Sequence, residues 1–452
     1  MKARHTITYI QLDKLCLAAA FCFLLLSSTS FAEDALDASI DQHTESMEEK
    51  IHKTENTLDT STDKRIEELE EKVQKLEASA QFAHRNQSAA LGESVFNPAM
   101  DVILSGKYGY FSQDKANIPG FQTGNEGMRI GKGFSLEETS VTLKANVDHK
   151  LYSALTVSII NEDGVDKVDL EEAFFKTLGL PFGFTITAGR KLVTFGYMNE
   201  KHKHTDDFVD RPLPYRVYLN TGFSDDGVQT SIVLPTVFYS EIGAGVFRGR
   251  DFPANPKGNS PGLITTYARV GGDIGISNAW RLGVYYMHAK SDGEGRDADG
   301  VVFNGNNDLY CADFRYTYSP AGNNRVTEFA LQAEYIFRNE KGDFDNGMAS
   351  ADINAKSSGF YAQAVYKFRK NYRLGYRYAF LDAPRTPMGF ENTSLNAGGR
   401  NPMTHSMMAE YNTSEYGRFR MQYNNDRTFS KTHHQVIFQY TLTLGAHGAH
   451  GF

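Results

Sequence analysis

Residues 435–444, QVIFQYTLTL, place Val436, Phe438, Tyr440, Leu442 and Leu444 on one parity and Gln435, Gln439, Thr441 and Thr443 on the other. Successive side chains of a strand point to opposite faces, so this stretch predicts a strand with one apolar and one polar face. The pattern recurs. Val141, Leu143, Ala145 and Val147 alternate with polar residues in SVTLKANVD (140–148), and Phe329, Leu331, Ala333, Tyr335 and Phe337 do so in EFALQAEYIFR (328–338). In YRLGYRYAF (372–380) the apolar set is Tyr372, Leu374, Tyr376, Tyr378 and Phe380. Soluble antiparallel sheets alternate as well, so the decision falls to the connections.

Short links are expected at Asp148–Lys150, Gly179–Gly183, Pro235, Ser277–Ala279, Pro320–Asn324, Lys370–Asn371 and Thr413–Tyr416. Longer or polar ones fall at 113–135, 162–166, 194–225, 250–262, 292–307, 340–356, 382–403 and 428–432. Short and long alternate from residue 99 to the end. A barrel in lipid has this form, because its hairpins are short on one side and free to grow on the other. The fold class predicted is all-β: a closed antiparallel transmembrane barrel of about sixteen strands over 99–452, preceded by a short coiled-coil helix.

Composition agrees. With 24 Tyr and 31 Phe against 1 Trp, the chain carries the rings that form girdles at the two membrane interfaces. Mean hydropathy is −0.44. Beyond the first thirty residues nothing is apolar for long enough to cross a bilayer as a helix.

Residues 1–32 read as a signal peptide, with Lys2, Arg4 and Lys14, an apolar core over Leu15–Leu26, and small residues near Ala32. Its removal leaves Cys311 as the sole cysteine, so no internal disulfide is expected. Residues 33–80 hold 15 acidic and 6 basic residues, and the signal contributes +2, so of the net −8 only −1 belongs to residue 81 onward. Within 33–80, Ile66, Leu69, Val73, Leu76 and Ala80 follow the a/d spacing of a coiled coil. This predicts a periplasmic stalk that joins chains, most simply into a trimer; a lone charged helix or an acidic linker is the alternative. Residues 81–98 read as a linker. Nothing in the charge pattern points to nucleic acid.

The longest connection contains NEKHKHTDDFVDRPLPYR (199–216). His202, His204, Asp206, Asp207 and Asp210 offer nitrogen and oxygen ligands suited to zinc, and an H-x-H pair on an extended segment puts both rings on one side. A solvated polar loop is the alternative. His447 and His450 in the closing GAHGAHGF are further metal candidates, or part of a flexible tail. The acidic stretches DGEGRDADG (292–300) and KGDFDNG (341–347) read as solvated loops without full calcium-loop spacing. Strand parity points Lys144, Glu334, Lys367, Arg369, Arg373, Arg377, Arg418 and Arg420 into the lumen. Clustered there, the cations set charge selectivity, or oppose Glu328 and Glu334 in a transverse field; some could instead snorkel at the rim. No G-x-S-x-G, H-E-x-x-H or phosphate-loop motif is present, so no enzyme is expected.

The strand–loop order around 194–225 resembles the sixteen-stranded porins, whose third outer loop folds into the lumen and narrows it. The stretches FNPAMDVILSGKYGYF (96–111), GFSLEETSVTLKANVD (133–148), 168–213 and DDGVQTSIVLPT (225–236), with the GAHGAHGF ending, resemble the family labelled zinc-regulated TonB-dependent outer-membrane receptors. The leading coiled coil and the EEAFF…GRK strand pair are similar, more distantly, to phosphate-selective porins. A TonB-dependent receptor carries a plug before a 22-stranded barrel, and residues 33–96 are too few to form one. The resemblance therefore implies an outer-membrane barrel with a metal link. It also implies the lipid of that membrane and the barrel-assembly machinery as partners. The function expected is a porin-like channel for passive uptake of small hydrophilic solutes or ions, zinc foremost, with no resident cofactor. The alternatives are a TonB-linked metal receptor lacking its plug, or a structural membrane anchor with a periplasmic stalk.

Overall fold

The structure, a computed structural model, describes residues 98–445 apart from 114–116, 125–126, 128–130, 137–138, 163–164 and 299. The expected signal peptide, coiled coil and tail with His447 and His450, and all but the end of the linker, lie outside the described residues.

The chain forms β1 (Ala99–Phe111), β2 (Gly133–Leu136), β3 (Thr139–Asn146), β4 (Leu151–Glu162), β5 (Val165–Thr177), β6 (Phe184–Leu192), β7 (Ser224–Val233) and β8 (Tyr239–Phe247). It continues through β9 (Leu263–Ile274), β10 (Asn278–Ala298), β11 (Val301–Tyr318), β12 (Glu328–Asp345) and β13 (Ser350–Arg369). The last four are β14 (Tyr372–Asp382), β15 (Met403–Ser414), β16 (Gly417–Asp426) and β17 (His433–Gly445). All belong to one 17-stranded sheet. Both β2 and β3 pair with β1, against Gly106–Gly109 and Ala99–Ile103 respectively, so they act as one stave and the barrel has sixteen. Antiparallel pairing of β17 with β1, from Asp101↔Gly445 to Phe111↔Gln435, closes the ring. A closed ring leaves no unpaired edge to satisfy in lipid.

Alternation is carried into three dimensions. On β17, Phe438 is 47% exposed on the outer face while Gln439 is 6% exposed inside. Outward rings gather in two belts. Trp280, Tyr318, Tyr372, Tyr411 and Phe419 lie near the short turns, and Tyr108, Phe134, Tyr286 and Tyr310 lie toward the other end. Trp280 and Tyr286 are about 20 Å apart along their strand at roughly 3.3 Å per residue, near the height of an apolar band facing lipid. No helix among the described residues is long and apolar enough to cross a membrane.

All seven expected short turns mark strand junctions, although Asn278–Ala279 belong to β10 and Thr413–Ser414 to β15. Three of the expected outer loops do not form as loops. The segment 162–166 closes tightly at Glu162↔Val165, and 292–307 and 340–356 continue the ladders to Ala298↔Val301 and Asp345↔Ser350. Spanning takes only about 9–11 residues per strand, so β10 to β13, at 18 to 21 residues, project well beyond lipid. Above the membrane both faces of a hairpin are wet, so Asp and Gly can sit in a ladder where period-2 apolar patterning is absent. The acidic stretches 292–300 and 341–347 are therefore strand for most of their length.

Candidate functional site

The connection from β6 to β7, residues 193–223, folds into the barrel. Its neck is cinched by Asn199, whose amide donates to the carbonyls of Val193 (2.7 Å) and Phe223 (3.0 Å) and whose carbonyl accepts from Phe223 N–H (2.8 Å). Inside the loop, Arg211 is buried and reaches four acceptors: Asp206 Oδ2 at 2.8 Å and the carbonyls of Thr221 (2.8 Å), Met198 (3.1 Å) and Lys201 (2.6 Å). Pro212 caps a short helix, α1 (Leu213–Tyr218), with Pro214 in its first turn, where a missing N–H costs nothing. The segment D-D-F-V-D-R-P is thus a clasp that holds a non-regular loop in one shape.

The clasped loop docks on inward-facing side chains. Asp207 pairs with Arg373, and Asp210 pairs with Arg377 while accepting from Gln422 (2.7 Å) and Asn424 (2.9 Å). Arg420 donates to the Asp206 carbonyl at 2.8 Å, and Arg418 to that of His204. Phe208 lies under the Arg377 guanidinium, 4.5 Å from its ring centroid, against Val365 and Met408. Burial would raise the Asp207 and Asp210 carboxyls, but the guanidinium of Arg373 for one and of Arg377 for the other overrides it and holds both below the usual range. A depressed carboxylate stabilises above its unfolded value and loses that contribution as pH falls through the folded one, so this clamp is at full strength at neutral pH.

On the opposite flank the loop meets Glu334, which is buried and accepts from Tyr215 Oη (2.7 Å), Tyr361 Oη and the N–H groups of Tyr197 and Met198 (both 3.1 Å). Glu334 therefore faces the loop's docking surface, not open lumen. Converting its acceptor oxygens into an amide would set NH₂ against donors. Glu334→Gln is expected to cost about 1–3 kcal/mol and to lower the temperature at which the folded band is lost on unboiled gels.

The expected ligand residues are dispersed. His202 Nδ1 lies 3.2 Å from Glu171 Oε2 and its Nε2 lies 2.9 Å from Glu172 Oε2. The His204 ring stacks on that of His202 at 5.6 Å, but through a 3₁₀ turn at Lys203–Thr205, not along an extended segment. Asp206, Asp207 and Asp210 are committed to three different arginines. Among the described residues no group of three or more His, Cys, Asp or Glu is placed to hold a metal ion. A carboxylate next to a buried guanidinium gains more from that neighbour than a solvated one does, and this draws the acids apart.

Of the basic row, Arg373, Arg377, Arg418 and Arg420 are buried under the loop. Lys367 faces inward near the short turns and donates to the Asn324 carbonyl at 3.2 Å. Arg369 departs from the expected parity: a register shift between Lys367 and Arg369 lifts it out of the wall, and it is exposed at the rim. Lys144 does face inward and pairs with Asp101 at 2.6 Å.

Two features had no part in the sequence-based expectation. In β5, Thr156 opposes Glu172 and Val157 opposes Leu170, so Glu171 is an extra residue in a bulge. The bulge lets adjacent glutamates reach one imidazole. Second, α1, Phe195 and residues 117–124 bury an apolar core inside the barrel. Phe121, Phe195, Leu213 and Tyr218 pack on inward Leu263, Met287, Leu309 and Ile336. The signal was legible, since in β10 and β11 both parities are apolar over Val284–Met287 and Leu309–Cys311. The core and the clamp together cover the wall from β8 to β17. Inward residues of β1 and β3 to β6 remain in contact with solvent: Lys107, Lys144, Tyr152, Lys176 and Lys191.

No family model matches the chain. A protein of Aquifex aeolicus (strain VF5), described as uncharacterized, is 27% identical over 399 residues, covering 81% of this chain and 82% of that protein. Among solved structures the chain is similar to an anion-selective porin from Comamonas acidovorans (TM-score 0.48, 12% identity, 77% of this chain and 99% of that one). It is also similar to a loop-deleted OmpT, an outer-membrane protein of Vibrio cholerae (0.46, 14%, 77% and 99%). A third is OmpF of Salmonella typhi in complex with daunomycin (0.46, 14%, 77% and 97%).

Proposed function

We propose that the protein is an outer-membrane channel for passive passage of small hydrophilic solutes, with anions favoured over cations. One observation carries this reading. The loop 193–223 lies inside a closed barrel, fixed to one wall, and leaves the other wall polar and wet. Along that wall Lys107, Lys144, Lys176 and Lys191 face Asp101, Glu171 and Glu172, and His202 lies between the two glutamates. In a narrow passage with low-dielectric walls, a cationic balance raises local anion concentration. Zinc, which the loop composition suggested, gains no support, because the acids that would bind it are held by arginines. The exported location and a stalk over 33–80 complete the proposal.

Planar-bilayer recording of the refolded protein tests it. Discrete steps are expected, with a zero-current potential of anionic sign across a salt gradient, and no block by micromolar zinc. A Lys144→Glu/Lys176→Glu variant is expected to lower the anion-to-cation permeability ratio several-fold and to reverse the sign of that potential. Absence of steps from folded protein would reject the channel in favour of a structural anchor. Steps with cationic preference would keep the channel and reject its selectivity.

A further inference from the structure

At the end where the long connections gather lies a cavity of about 710 Å³, within the range of small-molecule sites. Its floor is the inward face of β12, Arg338 and Glu340. Its sides combine an apolar patch of Phe344, Ile353, Pro387 and Leu395 with the polar Asp352, Lys356 and Arg385. Phe344 and Leu395 belong to a small core with Phe303 and Phe390, so these walls are built and not loose surface.

Arg338 is 2% exposed. Its Nη2 lies 2.9 Å from Glu340 Oε2, yet Nε and Nη1 have no acceptor among the described residues. Aromatic rings cover the guanidinium, with the centroid of Tyr218 at 4.9 Å and that of Phe121 at 5.9 Å. Rings take up the faces of the group and satisfy none of its in-plane N–H donors. A buried donor left without an acceptor is costly, and one guanidinium here holds two such nitrogens. Both nitrogens are closed to a water-sized probe, but Arg338 lines the cavity, so an acceptor there meets them once the guanidinium turns toward it.

We propose that this cavity is a binding site for a small monocarboxylate with an apolar body. The acid oxygens accept from Arg338, and the body lies against Phe344, Ile353 and Leu395. Glu340 restricts the charge. With Asp352 it stands against Arg338, Lys356 and Arg385, so the lining carries a balance of about one positive charge, which a monocarboxylate neutralises and a dianion such as phosphate exceeds. The apolar walls disfavour a bare small anion, which would leave them wet.

The test uses the full chain in nanodiscs and ligand-observed saturation-transfer NMR, with benzoate as probe and benzamide as its neutral counterpart. Saturable binding of benzoate is expected, at least tenfold tighter than that of benzamide. Arg338→Met, which keeps bulk and removes the donors, is expected to abolish that tenfold preference. Ile353→Trp, which fills the cavity and leaves Arg338 in place, is expected to abolish binding of both probes. Equal binding of the two probes by the wild type, unchanged benzoate binding in Arg338→Met, or no saturable binding at all would each overturn the site. If Arg338→Met fails to fold, the two-probe comparison on the wild type and on Ile353→Trp still decides. Because none of these readouts measures conductance, failure here leaves the channel reading standing, and the converse also holds.

Discussion

An Arg211→Ala protein is expected to conduct in larger and noisier steps than the wild type while its barrel stays folded. Arg211 is the hub of the loop. One planar, permanently charged group reaches the Asp206 carboxylate and three carbonyls belonging to distant points of the segment. Removing it takes this donor from the buried Asp206 carboxylate, the buried Met198 carbonyl and the half-buried carbonyls of Lys201 and Thr221. Breaking a buried pair from one side costs about 3–5 kcal/mol. That loss is local, because the strand ladders form a separate and continuous set of hydrogen bonds that the change does not touch. The loop then samples other positions in the lumen, and mean conductance rises several-fold. Arg211→Lys should not restore the wild-type steps, since a single ammonium cannot meet the fork of acceptors. Unaltered conductance in Arg211→Ala, with folding verified on unboiled gels, would mean that the loop does not set the size of the pore.

The barrel could be read from the chain because lipid imposes one rule on every strand: apolar outward, turn short on one side. Pro235, Lys370–Asn371 and Thr413–Tyr416 interrupt that rule at regular intervals, and the structure turns at each. The rule ends at the membrane surface. Above it, Asp292 to Gly300 carry turn-rich composition and still extend β10 for most of their length, since pairing resumes after a register shift between Ser291 and Arg296 and runs to Ala298↔Val301. Within the lumen, parity puts Arg373, Arg377, Arg418 and Arg420 on the inward face but cannot name their partners. Those partners lie in His204, Asp206, Asp207 and Asp210, between 166 and 214 residues away along the chain. Two separate observations, an acidic loop and a basic wall, were one structure. A bulge such as that at Glu171 leaves no period-2 signature, because it is the residue that breaks the period.

Loss of a single carboxylate behind the basic wall is expected to have the largest effect on stability. Glu410 is fully buried between two arginines: Oε1 accepts from Arg373 at 3.0 Å, and Oε2 accepts from Arg420 Nε at 3.0 Å and Nη2 at 2.8 Å. In Glu410→Ala these guanidiniums, with Arg418 beside them, keep their charges in a dry pocket, and Arg373 keeps its pairing with Asp207. The cost expected is about 3–5 kcal/mol, read as a fall in the heat-modification temperature. Glu410→Gln keeps the shape and one acceptor, so a smaller loss is expected. Pairing the change with its partner separates charge from packing. Glu410→Met/Arg420→Met removes both signs at once and fills the space, and apolar replacement of a whole buried pair is often neutral. The double variant is therefore expected to be more stable than Glu410→Ala, with a coupling of about 0.5–3 kcal/mol between the two positions. A Glu410→Ala protein as stable as the wild type would require water around Arg373 and Arg420. The clamp would then be a solvated contact, and the polar passage would extend to the wall that the loop now covers.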